Sequence, residues 1–384
     1  MGLGERVALI KRIEQIRGSV VMCFLTSLRQ NVPSQIADDS VRVFFDHLLL
    51  LTSRPIPKLD LFLCSNGGSG TVPWRLVSLF REYAKSLNVL IPYRSYSAAS
   101  LLALGADEIV MHPFAELGPI DPTVSNEFNP TEQPSGRRLG ISVEDVKAYV
   151  TFIKTTVGIT HEDELIRAVE ALTAKVHPLA LGNVERFLAQ SRLIARKILR
   201  THMPDSEEHV IKEIIENMAS KLYFHGHPIN RHEAKDDLRL KVNLDLPPEL
   251  ETAMWNLYKE YEVEFDNQLV FNPAGDLAAL AGQAAGAAPV QAPVPGMPPQ
   301  IMALAAPVQK EYDLVHAMIE STRLSSKHTT HRRYRLFTPM PGQQMIQEDI
   351  LAQGWTHSQV PAAELESQQH STSPEGAQEG GAVQ

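Results

Sequence analysis

Three short stretches in the first third of the chain carry residue types that chemistry at an acyl carbon needs. The first is CSNGGSG, residues 64–70, at the end of an apolar run. Two consecutive glycines allow positive φ and can turn backbone N–H groups toward a ligand oxygen. A phosphate-binding loop would need a following Lys-Ser/Thr or a GxGxxG pattern, and neither is present. Taken alone, the stretch describes a tight strand-to-helix turn. The second is YRSYSAASLLALGADEIVM, residues 93–111, in which Ser100 follows two alanines and opens an apolar helix. A serine there can cap the helix. Equally, small neighbours leave room for a substrate, and a helix start offers N–H groups and positive potential to a developing oxyanion. The third, HPFAELGPIDPT (112–123), is a proline-bounded loop in which Asp121 is placed to cap a turn.

The elements that position these stretches follow from periodicity. Val7, Leu9, Ile10, Ile13 and Ile16 recur at helical spacing up to Gly18, which stops that helix. Val20–Leu25 is a compact apolar run of strand length, and Val41, Phe44, Phe45, Leu48 and Leu51 mark a second helix. The strand Leu59–Cys64, a helix over Arg75–Lys85, the strand Val89–Ile91, a helix from Ser100 and the strand Glu108–Met111 follow. Strands alternating with helices imply parallel β-α units, so the expected class is α/β, with ligands at the C-terminal strand ends.

A chain of 384 residues with 43% hydrophobic content can bury a sizeable core in one large domain or two modest ones. Its 36 Lys and Arg against 45 Asp and Glu give a net charge of −9, which argues against general nucleic-acid binding. Two cysteines, Cys23 and Cys64, both in apolar runs, exclude a disulfide scaffold and a cysteine-rich zinc module, and read as buried thiols in a reducing compartment. With no signal-peptide core and no uninterrupted apolar stretch of membrane-spanning length, the expectation is a cytoplasmic protein.

Three sections are expected along the chain. Residues 1–272 form the α/β domain. Residues 273–310 form an Ala/Pro-rich linker, part helical and part extended, with no charged residue from Leu277 to Gln309. Residues 311–384 form a mostly disordered tail containing a short patterned segment, Glu311 to Trp355. Within that tail, RLSSKHTTHRRYRLF (323–337) has five Lys or Arg residues and no acid. It is compatible with contact to phosphates or to the surface of an acidic membrane, and reads first as a solvated, mobile segment.

In order, NGGSG, AAS some thirty residues on, ADEIV and the Pro-x-x-x-x-Gly loop resemble the Clp protease and signal peptide peptidase A group of the Clp/crotonase superfamily. Within it the likeness is to the serine dehydrogenase proteinase family, carried by QIADDSVRVFFDHL, DLFLCSNGG, ELGPIDP, KVHPLALGNV and LYFHGHPINRHEA, between about Val20 and Val242. The resemblance implies a spiral of ββα units, assembly into homo-oligomers, a peptide or protein substrate, and no cofactor or metal. It also implies Ser100 as nucleophile and the N–H groups of Gly68 and Leu101 as oxyanion hole, with Gly67 shaping the turn. Ile120 and Asp121 stand where a Clp protease keeps its histidine, so a Ser-His-Asp triad is not expected.

A Ser-Lys dyad of the signal peptide peptidase kind points to the stretch before the helix Asn183–Leu199, which offers Lys175 and His177. Lysine serves as a base only when burial or nearby positive charge lowers its pKa, and Leu172, Val176 and Leu179 could supply that desolvation. Histidine needs less tuning. His225, His227 and His232 in HGHPINRH lack a carboxylate or cysteine at a zinc spacing and read as a turn. The expected activity is therefore that of a serine peptidase working through an acyl-enzyme. No pyridoxal-phosphate or dinucleotide motif supports a dehydrogenase. The alternatives are a non-catalytic oligomeric scaffold of the same fold and acyl-CoA chemistry of the crotonase type, which needs the oxyanion N–H groups but no serine.

Overall fold

The structure, a computed structural model, describes residues 2–120, 123–124, 127–132, 138–221, 226–287, 308–340 and 343–360. The chain opens with α1 (Leu3–Arg17), ended by Gly18 in the left-handed region at φ 59°, as its position after the apolar stripe predicts. Then come β1 (Val20–Thr26), α2 (Asp39–Leu49), β2 (Ile56–Cys64), α3 (Val72–Tyr83) and β3 (Ala84–Ile91). The short β4 (Arg94–Ser95) and α4 (Ala98–Ala103) lead to β5 (Glu108–Met111) and β6 (Glu116–Leu117). A two-stranded ribbon, β7 (Thr123–Val124) with β8 (Ile141–Ser142), precedes the helices α5 (Val143–Thr151), α6 (Glu162–Thr173), α7 (Pro178–Leu199), α8 (Glu208–Glu216) and α9 (Arg231–Asp236). After β9 (Val242–Asn243) the chain continues as α10 (Pro248–Glu264), α11 (Pro273–Ala287), β10 (Val308–Glu320), β11 (Leu324–Met340) and β12 (Gln343–Gln359).

The class is α/β. β1, β2, β3, β5 and β9 run parallel in that order. Both faces are covered, and the two-residue alternation of strand side chains decides which residue faces which layer. Met22, Phe24, Leu61 and Leu63 pack toward α2, α3, α4 and α7. Val21, Cys23, Leu25, Phe62 and Cys64 pack toward α1 and α10. The cysteines are buried free thiols. On leaving the sheet the chain makes short pairings in a second layer. They link Ile36 with Gly68, Ser65 with Ser95, β4 with β6, and Leu117 with Ile229. Strand, short strand and helix thus recur as ββα units.

The C-terminal expectation needs correction. Residues 308–360 do not form a disordered tail beyond a domain ending at Asn272. They form three antiparallel strands that complete the sheet in the order β12-β11-β10-β1. The basic segment 323–337 lies in β11, and Arg332, Arg333 and Arg335 pair with Glu348, Glu311 and Asp349. The start of the expected linker is also packed, as Leu277 of α11 is buried with Val32, Phe271, Leu314 and Tyr334.

A wholly buried ion pair holds the addition in place. Arg6 donates to both oxygens of Glu320, from Nε at 2.8 Å and Nη2 at 3.0 Å. The Glu320 carboxylate also accepts from Tyr261 (2.7 Å) and Ser325 (2.5 Å), so its lone pairs are satisfied.

His47 of α2 makes a second polar lock, its ring nitrogens 3.1 Å from Ser321 Oγ and 3.0 Å from Ser326 Oγ. Burial pushes its pKa down to about 4. Above about pH 6.5 the imidazole is neutral both folded and unfolded, so it adds no pH dependence. Between there and pH 4 only the unfolded chain takes up the proton, so stability falls with falling pH, by roughly 3 kcal/mol in all. Urea midpoints at pH 7.5 and 4.5 should show this slope, and His47→Gln should flatten it. An equal slope in the variant would assign the acid sensitivity elsewhere.

Candidate active site

The glycine turn after β2 is fixed from below by hydroxyls. Thr26 Oγ1 donates to Ser65 Oγ (2.8 Å), which accepts from the N–H of Gly67 (3.0 Å). Gly67 and Gly68 adopt φ of 105° and 151°, values that side chains with a Cβ rarely take. On one side of the turn, Ile36 N–H donates to Gly67 O (2.7 Å) and Ser69 N–H to Ile36 O (2.8 Å). This pairing points the Gly68 N–H away from Ile36, and it meets no acceptor among the described residues. On the other side, a Cβ on Gly67 would come within 2.8 Å of Ser97 Cβ and 3.2 Å of Ala98 N. The turn therefore rests directly against the start of α4.

That start lies earlier than periodicity suggests. Ala98 and Ala99, strong helix formers, are inside α4, and Ser97 is its N-cap residue. Ser97 has φ 53° and ψ −115°, outside the helical and extended regions, a conformation of the kind that costs about 1–3 kcal/mol. It is half-buried and lines a cleft of about 370 Å³. The Ala98 N–H, beside it, has no acceptor among the described residues.

Ser100 stands differently. It is 0% exposed, and its Oγ donates to Ser95 O (2.6 Å) and accepts from the N–H of Gly118 (3.1 Å). Its hydroxyl joins β4, α4 and the loop after β6, with no open path to solvent. The Leu101 N–H is also engaged, closing the first helical turn onto Ser97 O at 3.0 Å. Of the expected oxyanion pair, Gly68 keeps an open N–H and Leu101 does not. The Leu101 side chain still lines the cleft, with Ile120, Phe187 and Ile194.

Lys175 and His177 are not brought to this cleft. Both are exposed, so Lys175 lacks the desolvation a lysine base requires. His177 caps α7, its Nδ1 accepting from Leu179 N–H (3.1 Å), and its ring stacks on Phe128. The α7 residues that line the cleft begin at Phe187, about 15 Å further along the helix at 1.5 Å per residue. Among the described lining residues none carries a titratable side chain. Asp121, next to Ile120, lies outside the described residues, as does His225. His227 pairs with Glu233 at 2.8 Å beside α9, and His112 stacks on Trp255 of α10, so each has a packing role.

Sequence reasoning missed Ser97 and the Ala98 N–H. A signal was present in YSAAS, whose two serines lie three apart on one helical turn. Alanines favour the helix interior, so the earlier serine is the one at its open end.

A further expectation concerns Gly68. A Cβ there would lie 2.3 Å from Ile36 O and 2.5 Å from Ile36 N, both backbone atoms that cannot swing aside. Gly68→Ala should lower stability by about 2–4 kcal/mol and displace the turn. Gly70→Ala, which meets nothing within 4 Å, should melt as the parent does. Equal melting temperatures for the two variants would contradict the packing described.

No family model matches the chain. It is similar to two uncharacterized proteins of Methanocaldococcus jannaschii. MJ1495 is 25% identical over 250 residues, spanning 63% of this chain and 73% of that protein. MJ0137 is 24% identical over 215 residues, spanning 55% and 63%. Among solved structures, the 1510-N membrane-bound stomatin-specific protease with a substrate peptide aligns over 59% of this chain and 77% of its own, at 13% identity and a TM-score of 0.34. A second structure of that protease aligns over 36% and 62%, at 16% identity and a TM-score of 0.25.

Proposed function

We propose that the protein is a serine hydrolase acting on peptide bonds, with Ser97 as nucleophile and the N–H groups of Gly68 and Ala98 as oxyanion hole. One observation carries the reading. Ser97 is held in an unfavourable backbone conformation at a helix start, against a glycine turn, with the N–H groups of Gly68 and Ala98 free of acceptors among the described residues. Attack of Ser97 Oγ on a carbonyl carbon would form a bond to carbon and move negative charge to the carbonyl oxygen. Two N–H dipoles there stabilise that charge, and expulsion of the amine leaves an acyl-enzyme for water to release. The apolar walls from Leu101, Ile120, Phe187 and Ile194 suit an uncharged side chain of a peptide.

The proton acceptor must come from beyond the described lining. Lys175 and His177, exposed just before α7, fit that role only toward another copy of the chain, so a catalytic role for either carries the expected homo-oligomer with it. The buried free thiols go with a cytoplasmic setting, and among the described residues no helix is long and apolar enough to cross a membrane.

The absence of a titratable side chain among the described lining residues favours a second reading, a non-catalytic scaffold that keeps the fold. A fluorophosphonate probe separates the two, because it bonds only to an activated serine. An adduct mapped by mass spectrometry to Ser97 is the expected result. A folded protein with no adduct would favour the scaffold.

A further inference from the structure

Behind the glycine turn lies a larger cavity of about 520 Å³, enclosed by residues 33–40 on one side and by β10, β11 and β12 on the other. We infer that it binds a small, flat carboxylate-bearing molecule, and that its occupancy adjusts the turn carrying Gly68.

The ligand class follows from the lining. Trp355 and His328 lie side by side, ring centroids 5.4 Å apart and planes tilted by 59°, making an aromatic wall for a planar body. Arg332 lines the cavity with its side chain only 15% exposed. Its Nη1 holds Glu348 at 2.5 Å on the outer side. The Gln35 and Gln353 amides stand at the mouth with no partner among the described residues. Asp39, the carboxylate of the lining, already accepts from Trp355 Nε1 at 2.8 Å, with His328 Nε2 at 3.9 Å. His316 is closed on both sides, by Pro33 O (2.7 Å) and Thr330 Oγ1 (2.6 Å). Arg332 is the fixed cation of the lining, and a carboxylate is the group that meets a guanidinium in charge-assisted form.

The link to the turn is short. Pro33 and Ser34 are fastened to His316, and Ile36, two residues on, exchanges hydrogen bonds with Gly67 and Ser69. The Gln35 Cβ would lie 3.0 Å from a Cβ placed on Gly68. A molecule pressing on Gln35 therefore pushes on the turn. This coupling rests on the reading of Ser97 as nucleophile, whereas the binding does not.

Calorimetry of the full chain with benzoate, and with benzamide as its uncharged counterpart, tests the site. Saturable one-to-one binding of benzoate is expected, with benzamide about tenfold weaker. Arg332→Gln and, separately, Trp355→Leu should each weaken benzoate by about fivefold or more. No benzoate binding, equal binding of benzamide, or parent affinity in both variants would overturn the proposal. At saturating benzoate the rate of fluorophosphonate labelling at Ser97 should change by about threefold or more, and not in Arg332→Gln. An unchanged rate with labelling intact overturns the coupling. If Ser97 is not labelled at all, the nucleophile reading has failed, and the coupling with it, while calorimetry still decides the binding.

Discussion

Ser97→Ala should reduce covalent labelling to background and lower any peptide hydrolysis by about 10⁴–10⁶, the loss seen when a serine nucleophile is removed. Folding should be almost untouched, because alanine at φ 53° bears the same backbone strain as serine and the side chain is only half-buried. Ser100→Ala should do the reverse. It removes a wholly buried hydroxyl that bonds Ser95 O and the Gly118 N–H. The Gly118 N–H keeps a second acceptor in Ser95 O at 3.2 Å, so the loss of stability should stay near 1–3 kcal/mol while labelling persists. Labelling abolished by Ser100→Ala and retained in Ser97→Ala would return the nucleophile to Ser100 and require the cleft to open differently.

Removing everything after Asn272 should prevent the protein from folding. The deletion takes β10 from the edge of β1, leaving the backbone groups of Cys23–Thr26 without their antiparallel partners. It strips Met318 and Ile319 from the two cores. It also leaves Arg6, 1% exposed, without Glu320, and an uncompensated buried charge costs about 3–5 kcal/mol. With Glu264 as its remaining carboxylate partner, the guanidinium keeps part of its compensation. These losses together reach the whole stability of an ordinary domain, about 5–15 kcal/mol. Glu320→Gln tests the same contact in the intact chain and should lower the urea-derived stability by several kcal/mol. A soluble, cooperatively unfolding 1–272 fragment would show that the last strands are an accessory.

Much of the first 111 residues was legible because burial on both faces writes strands as unbroken apolar runs, such as Val20–Leu25 and Leu59–Cys64. Helix ends were less legible. Ala98 and Ala99 carry too little side chain to reveal that α4 had begun, so the expected nucleophile, Ser100, lies one helical turn beyond the serine that lines the cleft. The last strands were hidden for another reason. In β11, Ser325, Ser326 and Thr330 are buried yet polar, because they face Glu320, His47 and His316 rather than an apolar core. A strand whose inward residues are hydroxyls has no hydrophobic alternation to read. The base was sought in Lys175 and His177 because the resemblance points to the stretch before α7, but Leu172, Val176 and Leu179, its apolar neighbours in sequence, leave Lys175 exposed.

The Arg6–Glu320 pair joins residues 314 positions apart, and it bears on how the protein is made. At a ribosomal rate of about 5–20 residues per second, roughly 15–60 s separate the emergence of one partner from the other. Throughout that interval the parallel strands can pair among themselves while β1 presents a bare edge and Arg6, beneath it, waits for Glu320. The later strands thus close a seam that opens when β1 emerges, and slowing the ribosome within residues 273–307 would lengthen the period in which another chain could occupy that edge.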